Sequence, residues 1–251
     1  MAIVKDNYHS MEELQDGLRA AGLESSNLII GVDFTKSNTW TGKNSFKGYC
    51  LHSIFENGMN PYQRVIDIIG RTMEPFDDDN LIPVYGFGDV NTTDKSVFSF
   101  KVNDQPCNGF QEVLQRYNEI TPNVRMSGPT NFAPLINKAV QIVQQTKQYH
   151  ILLIIADGQV DAERATKTAI ENASNYPLSI VTIGVGDGPF DKMEDFDDKL
   201  GGSKFDNFNF VNFNKVVCGP RVENPDIAFA TAAMNEVPTQ YLLCKKLGYL
   251  N

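Results

Sequence analysis

Basic residues are scarce in this chain. Lys and Arg total 22 against 31 Asp and Glu, a formal net charge of −9 in 251 residues. That balance argues against a nucleic-acid-binding domain, which needs a basic face to replace counterions on phosphate. Long apolar runs are also missing. The longest, such as Ile151–Ala156, fall far short of a membrane span. The start, Met1-Ala2-Ile3-Val4-Lys5-Asp6, lacks the apolar stretch of a signal peptide. Ala2 stands where an N-myristoyl anchor needs glycine. The four cysteines, Cys50, Cys107, Cys218 and Cys244, are scattered with no CxxC pair. No zinc-ribbon or RING-type framework follows from them. With no export signal, reduced thiols and a cytoplasmic location are expected.

Catalytic signatures are equally thin. There are three histidines, His9, His52 and His150. His150 starts a strand and reads as structural, and His52 lies in a loop-like stretch and reads as exposed. No GxSxG elbow accompanies them, so a serine hydrolase has no support. Gly184-Val185-Gly186-Asp187-Gly188 lacks both the Lys-Ser/Thr ending of a phosphate loop and the GxGxxG spacing. The acidic clusters Asp77-Asp78-Asp79 and Asp195…Asp197-Asp198 do not follow the EF-hand pattern and read as solvated loop and helix ends.

What is present is a packed globular composition, 41% hydrophobic and 21% charged. Residues 1–26 read as a polar lead-in with a short helix, capped by Ser10 with Glu13 and stopped at Gly22. The main domain is expected over 27–247. Leu28–Val32, Ile151–Ile155 and Leu178–Val185 are continuous apolar runs, the mark of parallel strands covered on both faces. Leu81–Phe87 and Phe208–Phe213 add two strands, and Val97–Phe100 a short antiparallel edge partner for 81–87. Helical patterns alternate with them. Asn60-Pro61 starts one, with Tyr62, Val65, Ile66, Ile69 and Met73 on one face. Others cover Phe110–Tyr117, Phe132–Val143, Ala162–Ala173 and Phe190–Leu200. Asp226–Leu247 reads as two helices broken by Pro238. The fold class is α/β: a three-layer, doubly wound, mostly parallel sheet with one antiparallel edge strand.

Ligands of open α/β sheets sit beyond the carboxyl ends of the strands, where the strand order reverses. That rule selects Asp33-Phe34-Thr35-Lys36-Ser37 after the first run and Asp157-Gly158 after the 151–155 run. An extended segment would project Asp33, Thr35 and Ser37 to one side. The Ser127-Gly128-Pro129-Thr130 turn can offer the Thr130 hydroxyl from a neighbouring loop, and Asp157 a second carboxylate. Hydroxyl, carboxylate and water oxygens around one centre suit Mg²⁺. Each acidic residue taken alone could merely cap the next helix.

These residues resemble the metal-ion-dependent adhesion site of von Willebrand factor A domains, with the pattern DxSxS…T…D and Thr35 replacing the first serine. The surrounding sequence is similar to the copine branch: Asn27–Asn38, Tyr85-Gly86-Phe87-Gly88-Asp89, Ser127–Phe132 and Ile180–Gly186. Asn60-Pro61-Tyr62, Phe205–Phe208 and Phe210–Phe213 resemble the copine-like domain of plant RING-type ubiquitin ligases. The resemblance implies a protein-binding module rather than an enzyme. One Mg²⁺, or else Mn²⁺ or Ca²⁺, would be held at Asp33, Thr35, Ser37, Thr130 and Asp157. Ser37 and Thr35 would be direct ligands, and an acidic residue of a protein partner would complete the coordination. The two C2 domains of copines and the zinc ligands of a RING are not in this sequence, so lipid binding and ligase catalysis are not expected to carry over. Trp40, Asn38 and Asn131 border the motif as candidates for partner contact, although packing against the domain is the first expectation for Trp40.

Two rival readings use the same residues. A Mg²⁺-dependent phosphatase or phosphotransferase would use Asp33 as nucleophile, but it needs a second Asp two residues on, where Thr35 stands. A structural module with a vestigial metal site is the other. Partner identity and oligomeric state are not legible.

Overall fold

The computed structural model describes residues 8–158, 160–199, 201–220 and 222–250. Met1–Asp6, where the leader and acyl-anchor readings fall, and Leu200 lie outside them. The strands are β1 (Asn27–Asp33), β2 (Leu81–Ile82), β3 (Val84–Phe87), β4 (Phe98–Ser99), β5 (Cys107–Asn108), β6 (His150–Ala156), β7 (Leu178–Gly184) and β8 (Phe208–Asn212). The helices are α1 (Met11–Ala20), α2 (Pro61–Met73), α3 (Gly109–Ile120), α4 (Ala133–Thr146), α5 (Glu163–Ala173), α6 (Asp191–Lys199), α7 (Phe213–Val217), α8 (Pro225–Met234) and α9 (Val237–Lys246).

One six-stranded sheet runs in the order β4-β3-β1-β6-β7-β8. The β3–β4 pairing is antiparallel and the other pairings are parallel. Side chains alternate across it. Leu28, Ile30 and Val32 of β1 pack into one core with Leu14 and Leu18 of α1 and with residues of α2, α3, α8 and α9. Ile29, Leu152, Ile154 and Ile180 pack into a second core with α4, α5 and α6. Burial on both faces explains why these strands read as unbroken apolar runs.

The local signals work as chemistry predicts at α2. Asn60 accepts from the Gln63 N–H at 2.9 Å, and the Gln63 side chain accepts from the Asn60 N–H at 2.7 Å, a reciprocal cap followed by Pro61. At α1 the Ser10 hydroxyl accepts from the Glu13 N–H at 3.1 Å, while the Glu13 carboxylate reaches back to His9.

Two expectations need correction. The 81–87 run is not one strand: Leu81–Ile82 pairs with β5 in a separate ribbon, and only Val84–Phe87 enters the sheet. Pro83 divides them because it has no N–H to donate, although its carbonyl accepts from Ile30 at 3.0 Å. Nor does Pro238 break the C-terminal helices. The break falls at Asn235–Glu236, and Pro238 sits in the first turn of α9, where a missing N–H costs no helical bond.

Candidate metal centre at the rim of the sheet

β1 and β6 are neighbours, but the chain leaves them in opposite directions. After β1 it reaches α2 on one face, and after β6 it reaches α5 on the other. The strand order reverses between them, which opens a crevice at their carboxyl ends. Asp33 is the last residue of β1, and Asp157 follows β6 directly. Both are buried, at 0% and 1% exposure.

The chain then folds the hydroxyls back onto these carboxylates. Thr35 is extended and gives its N–H to Asp33 Oδ1 at 2.7 Å. Ser37 is not extended, contrary to the sequence expectation. Lys36–Thr39 is a short 3-10 turn, started where the Lys36 N–H bonds the Ser127 carbonyl at 2.6 Å. The turn still brings Ser37 Oγ to 3.1 Å from Thr35 Oγ1, and the Ser37 hydroxyl donates to Asp157 Oδ1 at 2.9 Å. Thr41, which sequence reasoning missed, donates to Asp157 Oδ2 at 2.6 Å. The available signal was its place one turn beyond Ser37, whose carbonyl its hydroxyl also reaches at 3.0 Å.

Both oxygens of Asp157 are thus partnered, whereas Asp33 Oδ2 is buried without a hydrogen-bond partner. Burial and the neighbouring Asp157 charge push the Asp33 carboxyl well above the usual carboxylate range. Burial raises Asp157 too, against the hydrogen bonds from Thr41 and Ser37. Among the described residues no Lys or Arg pairs with either carboxylate. The described residues also hold no group of three or more His, Cys, Asp or Glu placed to bind a metal. The donor set is two carboxylates and hydroxyls, hard oxygens whose charge a divalent cation balances.

Thr130 lies on the adjoining loop. Its N–H donates to Asp161 Oδ2 at 2.7 Å, and its carbonyl accepts from the Asp161 N–H at 2.9 Å. The loop joins the site through Ser127, which pairs with Thr35 and gives its N–H to the Gly88 carbonyl at 3.0 Å. The Thr130 hydroxyl forms no hydrogen bond with Ser37, Asp33 or Asp157 among the described residues.

Residues 50–251 match the family described as Copine. The chain is 51% identical to the E3 ubiquitin-protein ligase RGLG4 of Arabidopsis thaliana, over 99% of this chain and 65% of the relative. The chain belongs to the copine family. It spans less than two thirds of that relative's length. Among solved structures it is similar in fold to the manganese-loaded TRAP protein of Plasmodium vivax, at a TM-score of 0.51 and 12% identity, over 78% of this chain and 71% of the other. It is also similar to proximal thread matrix protein 1 of the mussel byssus with a zinc-occupied MIDAS motif, at 0.51 and 14%, over 84% and 46%. The architecture is that of a von Willebrand A domain.

The residues around the rim are braced from below. Asn38 is fully buried. Its amide donates to the carbonyls of Asp33 and Thr35, at 3.3 and 3.0 Å, and its oxygen accepts from Tyr62 at 2.7 Å. It is a brace and not a partner contact. Asn131 is half-buried and likewise committed, donating to the Asp94 carbonyl at 2.9 Å and accepting from the Ala133 N–H at 3.0 Å. Trp40 is not buried against the domain; it is 58% exposed.

His52 also departs from expectation. It is buried, stacked between Phe34 at 4.5 Å and Tyr62 at 4.1 Å. Its Nε2 lies 2.7 Å from the Asp33 carbonyl and its Nδ1 2.7 Å from the Tyr117 hydroxyl. A carbonyl can only accept, so Nε2 carries the proton and Nδ1 accepts from Tyr117. Nothing in the local sequence announces this, because the ring's partners come from β1, α2 and α3.

Proposed function

We propose that this chain is a metal-dependent protein-recognition module of the adhesion-site type. Asp33, Thr35, Ser37 and Asp157 would hold one Mg²⁺, with Thr130 joining directly or through water. The observation that carries the reading is the unpartnered, buried Asp33 Oδ2 beside a second buried carboxylate. Such an arrangement is costly without a cation. Bound there, the ion would supply an electrophilic position for an outside carboxylate. Thr35 and Ser37 are neutral donors, so two protein charges balance the ion and leave it able to take an Asp or Glu from a partner. The protein's own part is positional: the 3-10 turn presents the hydroxyls, Asn38 fixes the turn, and Thr41 orients Asp157.

Mg²⁺ is proposed on the hardness and small size of the donor set. The two fold neighbours are described with manganese and zinc, so the test compares metals. In a protein of the kind the plant relative is named for, this module would select what is brought to the ligase. The nucleophile reading gains nothing from the geometry, because Asp33 is 0% exposed and its Oδ1 is held by the Thr35 N–H.

Thermal unfolding after EDTA, and again with Mg²⁺, Mn²⁺, Ca²⁺ or Zn²⁺, tests the proposal. Saturating metal at a hundred times its Kd should stabilise the wild type by about 2.7 kcal/mol. Asp157→Ala should lose that response. A wild-type protein indifferent to every ion would mark the site as vestigial.

A further inference from the structure

The loop that carries the hydroxyls also carries a cluster of aromatic side chains. Residues 38–52 form a closed loop: the Leu51 N–H bonds the Asn38 carbonyl at 3.0 Å, and Asn38 and His52 both reach the carbonyl of Asp33. Its body is pinned to the rim. Thr41 holds Asp157, and the Asp187 carboxylate accepts from the N–H groups of Asn44 and Ser45 at 2.8 Å each. A tight turn follows, with the Phe46 and Gly48 N–H groups both on the Gly42 carbonyl at 2.9 Å.

On this frame Phe46, Tyr49 and Phe55 meet edge to face, with centroids 6.3, 5.8 and 5.3 Å apart. Phe46 is the half-buried root of the cluster. Tyr49 and Phe55 remain 52% and 36% exposed, and Trp40, Ile54 and Met59 on the same segment are exposed as well. So much apolar surface gathered on one segment marks an interaction site rather than chance exposure. Its charge is also unlike the rest of the chain. Over residues 34–60, Lys36, Lys43 and Lys47 face the single acid Glu56, a local balance of +2 in a chain of −9. All three lysines are exposed.

We propose that this aromatic and basic surface docks an acidic segment of the partner that also bears a bulky apolar side chain. The apolar side chain seats against Tyr49 and Phe55, the lysines face the segment's carboxylates, and one of those carboxylates reaches the metal. The inference rests on the metal-site reading and names the partner class for it. A second copy of this chain fits less well, since its surface is acidic overall but must present a carboxylate and an apolar side chain together.

The experiment is selection of random twelve-residue peptides on the Mg²⁺-loaded full chain, followed by titration of the enriched peptides. Acidic sequences with an aromatic or large aliphatic residue are expected. Tyr49→Ser with Phe55→Ser should weaken them about tenfold or more, the scale of an interface hot spot. Lys43→Glu with Lys47→Glu, on exposed side chains, should weaken them and flatten the salt dependence without changing the melting temperature. Acidic peptides that need Mg²⁺ but ignore all four substitutions would overturn the docking surface and leave the metal site standing. Apolar peptides that bind in EDTA and Mg²⁺ alike would separate the cluster from the metal and also overturn it. So would self-association abolished by Tyr49→Ser, or the absence of any enriched peptide.

Discussion

The His52 ring bridges the Asp33 carbonyl and the Tyr117 hydroxyl at 2.7 Å on each side, which ties the end of β1 to helix α3. Burial lowers the His52 pKa from 6.5 to about 3, against the pull of the Asp33 carbonyl. A base whose folded pKa lies below its unfolded value contributes stability that is present above the unfolded pKa and lost as the pH falls. Urea unfolding should therefore weaken progressively from about pH 6.5 toward pH 3. His52→Gln, which keeps a donor and an acceptor, should be less stable at pH 7 through lost stacking but should fall less steeply with acid. Equal slopes for the two proteins would remove His52 as the source.

Two glycines separate steric from backbone effects. Gly88 and Gly48 have φ near +80°, a conformation that side chains resist. A Cβ on Gly88 would stand 2.4 Å from Thr35 Cγ2 and 3.5 Å from Asp33 Oδ1, whereas one on Gly48 meets nothing within 4 Å. Gly48→Ala should cost about 1 kcal/mol and leave metal stabilisation intact. Gly88→Ala should cost about 2 kcal/mol more, from overpacking against Thr35, and should blunt the metal response. Paired melts with and without Mg²⁺ decide it.

How far the fold and the site could be read from sequence follows from the range of the interactions involved. β1, β6 and β7 were legible because burial on both faces writes itself into consecutive residues. The Asn60–Gln63 cap was legible because its partners lie three residues apart. Pro83 and Pro238 were misplaced because a proline's effect depends on whether its absent N–H would have had an acceptor. At the rim, the rule for strand ends selected Asp33 and Asp157 before any contact was known. The same rule does not reveal a 3-10 turn, so Ser37 was assigned the wrong backbone and still arrived beside Thr35. His52 and Asn38 were misjudged for one reason: each is buried by residues distant in the chain, Tyr117 in one case and Tyr62 in the other.

Removing one charge from the rim should have opposite effects with and without metal. Asp33→Asn keeps an oxygen for the Thr35 N–H and replaces the unpartnered Oδ2 by an amide. In EDTA the variant should be at least as stable as the wild type, by up to about 1–2 kcal/mol, because the wild type must either hold two buried like charges together or keep a proton on Asp33. With Mg²⁺ the order should invert, since the wild type gains binding energy that the variant lacks. Calorimetric melts in both buffers test this. A variant less stable than the wild type in EDTA would mean that Asp33 is held by partners other than a cation.

Far from the rim, Glu236 provides a pH prediction that no metal enters. It stands at the N-cap position of α9 without a side-chain capping bond, and burial together with the charges of Asp197 and Asp206 raises its pKa from 4.5 to about 7. A carboxyl whose folded pKa is raised binds its proton more tightly in the native state. Its contribution is therefore greatest below the unfolded pKa and is lost as the pH rises through the folded one. Stability should decline between about pH 4.5 and pH 7 on this account. Glu236→Gln removes the ionisation and keeps the shape. It should match the wild type near pH 4 and exceed it at pH 8 by about 1 kcal/mol once partial solvent exposure is allowed for, equivalent to about 2–4 °C in Tm. A pH-independent difference between the two proteins would place the effect in packing rather than in charge.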